Sequence, residues 1–244
     1  MKTIKQFGLF VLITATILMI MPSTSFGFTS TSGWLDCPFG EHNDHYPGKC
    51  RRYIDTDHDG ICDHSEAPPE IRGYTYPDTG IFLLLKIETS TIWNAQFSNG
   101  KLVAYSSIST DVPPFIDPTV NRTMVPLRFV AENLNLKVDW NNKTREIVIT
   151  SSIENIKIIM HMPISEAQQH GPYLVYPGSP IVELYQNGNI SKLNLTNLNG
   201  KNMGIPFIYQ SRTFVPLRFV SEIFGANIQW YPDTRSITIV RGEQ

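Results

Sequence analysis

Arg122-Thr-Met-Val-Pro-Leu-Arg-Phe-Val-Ala-Glu132 returns ninety residues later as Arg212-Thr-Phe-Val-Pro-Leu-Arg-Phe-Val-Ser-Glu222. The register continues without a gap through Trp140/Trp230, Thr144/Thr234, Arg145/Arg235, Ile147/Ile237 and Ile149/Ile239. Fourteen of the thirty aligned positions in 121–150 and 211–240 are identical. Agreement at that level marks a duplicated structural unit. No nucleophile, base or metal-ligand motif lies inside it, which points to a scaffold or binding module and away from an enzyme.

Each copy reads as helix, strand, turn, strand. Pro126 and Pro216 suit a first helical turn, where a missing N–H costs nothing. Leu127, Val130, Ala131 and Leu134 follow helical spacing, as do Leu217, Val220, Ser221 and Phe224, and the pattern predicts helices of about ten residues. Asn135 and Gly225 then tolerate the left-handed conformation that ends a helix. Val138 and Trp140 alternate as in a strand, like Ile228 and Trp230, and the alternation predicts that both tryptophans pack inward. Turns at 141–143 and 231–233 lead into Ile147/Ile149 and Ile237/Ile239. Residues 155–160 and a hairpin around Asn187-Gly188 add strands between the copies. Upstream, 81–88 and 101–107 are strand-like, and 111–118 is a proline-rich crossing segment. One short helix cannot cover a hairpin alone, so the copies are expected to share one core. The predicted class is α+β: a twisted, mainly antiparallel sheet packed on two short helices, over 73–244, with half-repeats at about 115–150 and 205–240.

The N-terminal stretch reads differently. Lys2 and Lys5 precede an apolar run from Phe7 to Met21, and Ser25-Phe26-Gly27 offers a small-residue exit. That is the pattern of a secretory signal peptide over 1–27; a retained anchor is the alternative, though the run falls short of the roughly 20 residues of a membrane span. The apolar pattern predicts no later span. Without Lys2 and Lys5 the formal charge moves from −2 to −4. A balance so mild and mixed argues against nucleic acid or an anionic membrane surface as partner. The expected location is extracellular or cell-surface.

Residues 28–72 hold all three cysteines and four of the six histidines. Within them, Asp55-Thr-Asp57-His-Asp59-Gly60-Ile61-Cys-Asp63-His-Ser-Glu66 fits the D-x-[DN]-x-[DN]-G-x5-E calcium-loop pattern throughout. Asp55, Asp57 and Asp59 supply oxygens at positions 1, 3 and 5, and Gly60 makes the sharp turn. Ile61 offers its carbonyl, Asp63 holds a water and Glu66 closes the shell with both oxygens. Pro68-Pro69 follows at once and disfavours the second helix of an EF-hand. The reading is therefore an isolated Ca²⁺ loop that orders a core-poor segment, weighed against a plain acidic turn. Cys37, Cys50 and Cys62 are too widely spaced for compact metal motifs. One disulfide is expected, of unspecified pairing, leaving an odd thiol free or available for self-association between chains. A metal or redox site on Cys37, Cys50 and Cys62 with His42, His45 or His64 is the weaker rival. The wider run from Cys37-Pro-Phe-Gly to Cys62-Asp63 resembles a short module attached to diverse bacterial envelope proteins, with no activity implied.

The motif R-T-x-V-P-L-R-F-V-x-E, with its aliphatic-x-Trp strand and T-R-x-I-x-I, resembles the N-terminal domain of copper amine oxidases over roughly 115–244. That resemblance implies a stalk-like, non-catalytic module common in secreted and surface proteins of Gram-positive bacteria. Copper and the quinone cofactor belong to a separate catalytic domain, so neither is expected here. Asn121 and Ser211 stand where the family typically has glycine, and the stretch around Gln168-Gln169-His170-Gly171 looks longer than usual. The expected function is a calcium-stabilised spacer or binder of a cell-envelope polymer or protein. The alternative is a Ca²⁺-dependent carbohydrate- or peptide-binding protein using exposed aromatics. Arg128/Glu132 and Arg218/Glu222 read as ordinary i,i+4 pairs, and Arg122 and Arg212 as ties to backbone carbonyls.

Overall fold

The computed structural model describes residues 34–242 apart from 36, 38, 40, 50, 51 and 152; the expected signal peptide lies outside the described residues. Among the described residues a 3-10 turn (Asp63–Ser65) precedes a three-stranded meander, β1 (Gly80–Lys86), β2 (Thr91–Ser98) and β3 (Lys101–Ser109). The first repeat follows as β4 (Phe115–Asp117), β5 (Arg122–Pro126), α1 (Leu127–Asn133), β6 (Lys137–Asn141) and β7 (Glu146–Ser151). Next come β8 (Ile156–His161), the pair β9 (Gln168–His170) and β10 (Tyr173–Pro177), then β11 (Ile181–Gln186) and β12 (Asn189–Asn194). The second repeat closes the chain with β13 (Phe207–Tyr209), β14 (Arg212–Pro216), α2 (Leu217–Ile223), β15 (Asn227–Tyr231) and β16 (Ser236–Gly242).

Every strand pairing among the described residues is antiparallel, and the class is α+β. The strands divide among three sheets, where the sequence suggested one: β15-β16-β1-β2-β3, β4-β5-β14-β13-β10-β9 and β12-β11-β8-β7-β6. The first and third correspond strand for strand. In each, the hairpin that follows a helix is extended by a meander, β1–β3 beside β16 and β8, β11 and β12 beside β7. The meander precedes its own repeat in the chain but pairs with the hairpin of the other. The two units are therefore interlocked.

The middle sheet joins them. β5 and β14 pair with Val125 opposite Val215 and Met124 opposite Pro216. A ninety-residue offset makes Val125 and Val215 equivalent positions, so a pseudo-two-fold axis passes between them. Proline ends each strand and caps the following helix at φ −61. Each helix is seven residues long, shorter than the spacing suggested, because Leu134 and Phe224 already leave helical geometry before Asn135 (φ 57) and Gly225 (φ 67) turn left-handed.

The helices face a core formed by Leu127, Val130, Ala131 and Leu134 with Leu217, Phe219, Val220 and Phe224, against Ile147, Ile149, Ile237 and Ile239 of the hairpins. β1 is buried on both faces: Ile81, Leu83 and Leu85 join this core, whereas Phe82 and Leu84 point outward under Leu35, Ala67 and Ile71 of the N-terminal module. A third cluster, with Phe115, Met124, Val175, Phe207 and Phe214, lies beneath the middle sheet. Gly80 has φ +133, and a Cβ there would meet the Arg241 carbonyl oxygen at 2.2 Å. Only glycine lets β1 start alongside β16.

Two expectations are corrected. Trp140 and Trp230 are 40% and 42% exposed, because their strands β6 and β15 are sheet edges and the short helices do not reach over them. Cys37 and Cys62 are buried free thiols; no disulfide forms among the described residues, and Cys50 lies outside them.

Arg241 ties the units together. Its guanidinium donates to the Leu134 carbonyl at the end of α1 and pairs with Glu154 in the β7–β8 turn, all with little exposure. Removing one partner of a buried pair leaves an uncompensated charge and costs about 3–5 kcal/mol. Arg241→Met is expected to lower stability by about that amount in urea unfolding, and adding Glu154→Gln should recover part of it. A second expectation concerns the β13–β14 hairpin, whose two-residue turn puts Gln210 (φ 47) and Ser211 (φ 61) in the left-handed region. Non-glycine residues pay about 1 kcal/mol for that conformation, so Ser211→Gly should raise the unfolding midpoint.

Candidate metal centre and paired grooves

The acidic loop closes on itself through backbone donors. The Asp55 carboxylate accepts from the amides of Asp59 (3.1 Å) and Gly60 (3.0 Å). Asp59 accepts from the amide of Ile61 at 2.9 Å. Gly60, at φ +83 with open space beside its Cα, makes the turn that lets these donors point inward. Ile61 bridges to His45, with Tyr46 N–H donating to the Gly60 carbonyl and Cys62 N–H to that of Asp44. Asp63 is buried and accepts from the amide and hydroxyl of Thr56.

The carboxylates gather in two overlapping sets: Asp55, Asp57 and Asp63, and Asp57, Asp59 and Glu66, with oxygens within 4.8 Å of one another in each. The structure thus brings together the five acids that the pattern named. The residue the sequence reading missed is Arg72. A turn in which the Arg72 amide donates to the Pro68 carbonyl at 3.0 Å carries it back over the loop. There Nη1 donates to Asp59 at 2.6 Å and Nη2 to Asp57 at 3.0 Å. Nη2 also lies 2.9 Å from Glu66 Oε1. That contact is an ion pair without hydrogen-bond geometry, and the buried Oε1 has no donor. Burial, followed by the neighbouring Asp59, Asp57 and Asp63, pushes the Glu66 carboxyl up to about 7 against the opposing pull of Arg72.

These residues fit a hard cation. The donors are carboxylate oxygens only, the set that suits calcium, and no histidine or cysteine joins either group among the described residues. Copper, which favours imidazole or sulfur ligands, does not fit this donor set. His42 and His45 do not converge with Cys37 or Cys62 on a ligand-distance group.

The repeat domain carries two surface grooves in equivalent positions. One lies between Leu127, Arg128, Val138 and Trp140 of the first unit and Arg212 of the second, with a volume of about 710 Å³. The other lies between Leu217, Arg218, Ile228 and Trp230 of the second unit and Arg122 of the first, at about 330 Å³. The β13–β14 hairpin of the second unit thus walls the first groove, and β4–β5 of the first unit walls the second. Strand alternation alone places the tryptophans in the core; the signal against it is their position on strands that a short helix leaves half covered.

Residues 99–183 and 196–244 match the family model described as the copper amine oxidase N-terminal domain, together more than half of the chain. The chain belongs to that family. Residues 25–67 match a second model, the MJ0753 family N-terminal domain. No curated protein and no solved structure gives a significant match. The copper amine oxidase N-terminal domain is non-catalytic and carries neither copper nor quinone, and the clustered carboxylates lie outside its segments, within the stretch matched by the second model. No helix among the described residues is long and apolar enough to cross a membrane.

The raised Glu66 carboxyl has a pH consequence. Above its ordinary value of 4.5 the unfolded chain has lost the proton that the folded loop keeps until about 7. The stabilisation from neutral Glu66 is complete below pH 4.5 and disappears as pH rises through 7. In EDTA, the stabilisation from neutral Glu66 should be lost from the thermal midpoint between about pH 5 and 7.5, and Glu66→Gln should remove that part of the slope.

Proposed function

We propose that this chain is an exported, non-catalytic module of the bacterial cell surface. It holds or spaces another envelope component, and its acidic loop is a calcium clasp that orders the N-terminal segment on the β1–β3 sheet. The observation that carries this reading is the carboxyl bay: five acids gather on one loop, Arg72 pairs with Asp57, Asp59 and Glu66, and one buried oxygen, Glu66 Oε1, lacks a donor. Such a site supports folding more than reaction, since it lies over the outer face of a sheet and away from both grooves. In the apo protein Arg72 serves as the resident counter-ion. A divalent ion takes its place at Asp57, Asp59 and Glu66 and satisfies the orphaned oxygen.

A second reading, carbohydrate or peptide binding, is favoured by the half-exposed Trp140 and Trp230, each set in a groove with arginines. The two readings are compatible, because the loop and the grooves occupy different faces.

Thermal unfolding in EDTA and in about 5 mM Ca²⁺ tests the clasp. With a dissociation constant of about 0.5 mM, within the range of extracellular loops, binding adds about 1.4 kcal/mol. That amounts to an upward shift of about 3–6 °C for a chain of this size. Asp57→Asn with Glu66→Gln should abolish the shift. Arg72→Gln should lower the midpoint in EDTA and enlarge the response to calcium, because the competing cation is gone. A wild-type midpoint indifferent to Ca²⁺ would sink the clasp and leave Arg72 as a permanent counter-ion.

A further inference from the structure

The two grooves are equivalent in position but differ in charge. In the first, Arg212 is held by Asp111 at 2.5 Å and Arg128 faces Glu132 at 3.9 Å, and both acids line the groove. The Trp140 ring lies beneath the Arg145 guanidinium, 5.6 Å from its centroid. That groove is electrically balanced and its indole is partly occupied. In the second groove no lining residue is acidic. Arg122 is fixed by carbonyls alone, with Nε donating to Asn202 O at 2.9 Å and Nη1 to Asn121 O at 3.1 Å. Its charge is uncompensated and Nη2 remains free to donate elsewhere. Arg218 pairs with Glu222 at 3.8 Å much as Arg128 does with Glu132, so the contrast in charge rests on Arg122 against Arg212. Arg235, the counterpart of Arg145, turns away from Trp230 to Glu88, at 3.2 and 3.3 Å. The Trp230 face is left open beside Leu217 and Ile228.

We propose that the groove around Trp230 binds a carboxylate-bearing pyranose of an anionic polysaccharide, with the sugar face stacked on the indole and the carboxylate held by Arg122 and Arg218. Planar guanidinium forks match carboxylates in geometry and charge. An apolar slot with a few convergent polar groups, about 330 Å³ in volume, is of the size of a small-ligand site. The slot is a groove on the surface rather than an enclosed cavity, so it admits a ring that is part of a longer glycan. It is a sparse anion, since two arginines in a chain of net charge −2 do not make the basic stripe that a nucleic acid requires. This assignment rests on the envelope-module reading and names its ligand class.

The test is tryptophan fluorescence of the full chain titrated with an α-1,4-linked galacturonate oligomer, in EDTA so that neither the acidic loop nor calcium bridging contributes. Saturable quenching is expected. The methyl-esterified oligomer should bind at least about tenfold more weakly, the factor of one charge-assisted contact. Arg218→Gln should weaken binding by about tenfold and Trp140→Ala by less than about twofold; Trp230→Ala, followed by titration calorimetry because it removes the reporting indole, should also weaken binding by about tenfold. Arg218 is on the surface, so its variant carries the test even if Trp230→Ala compromises folding. Equal binding of the ester, affinities unchanged in both groove variants, tighter binding of a single-stranded oligonucleotide, or no saturation at all would each overturn the assignment. Attachment of the chain to a cell-wall preparation that survives both variants would also overturn it, while leaving the envelope-module reading in place.

Discussion

The pairing of β5 with β14 is the constraint on which the rest of the molecule depends. Val125 faces Val215, so two copies of one sequence run antiparallel through a shared axis. Their neighbours Met124 and Phe214 point to the opposite face, into the cluster under the middle sheet. Both faces of the pair are therefore buried, and a one-residue slip would exchange the two sets of side chains between cores of different shape. The prolines that follow stop the ladder and start the helices at the same height on both sides. Each helix then lies across the two central strands, and each hairpin beyond it has a fixed place to stand. Duplication alone would give two copies; antiparallel register turns them into one body.

Interlocking follows from what a single unit lacks. A seven-residue helix covers few side chains, and the hairpin it precedes ends in an open edge. The meander of the opposite unit closes that edge, β1 against β16 and β8 against β7. Because β1 comes first in the chain and β16 last, the fold joins its two ends in one sheet, and Arg241 near the C-terminus reaches across to Glu154 and α1. The cost is that the closing strand β1 is apolar on both faces. Phe82 and Leu84 need a cover, and the N-terminal module supplies it through Leu35, Ala67 and Ile71. That same module carries the acidic loop, so the clustered carboxylates sit on a segment that already shields the sheet. The buried contact explains why a short, core-poor stretch is retained against a much larger domain.

Much of this was legible in the residues. The ninety-residue repeat, the helix positions, the left-handed Asn135 and Gly225 and the antiparallel character all follow from spacing and residue type. The clustering of the loop acids was legible too, because the D-x-[DN]-x-[DN]-G-x5-E spacing puts all five on one tight turn. What could not be read was long-range. Nothing in Gly80–Lys86 says that it completes the second repeat, since an all-apolar strand is compatible with any central place in a sheet. Arg72 carries no motif and matters only because a turn after Pro68-Pro69 brings it back over Asp57 and Asp59. Trp140 and Trp230 were misplaced for a related reason: alternation reports which residues share a face, and the length of the covering helix decides whether that face is closed.

The two grooves show how a symmetric scaffold becomes asymmetric in function without changing its backbone plan. Trp140 and Trp230, Arg128 and Arg218, and Arg122 and Arg212 are the same residues in the same places. The differences lie in their surroundings. Asp111, from the segment ahead of the first hairpin, neutralises Arg212, whereas Arg122 is held by the carbonyls of Asn121 and Asn202. A carbonyl orients a guanidinium without cancelling its charge, while a carboxylate does both. Glu88, near the β1–β2 turn, draws Arg235 off one indole, and Arg145 stays over the other because the Met162 carbonyl accepts its Nε at 2.8 Å. A few second partners, each outside the repeated motif, therefore leave one groove closed in charge and the other open. For a duplicated domain this is an economical route to a binding site: the repeat supplies the frame twice, and the residues that differ between its copies decide which frame receives a ligand.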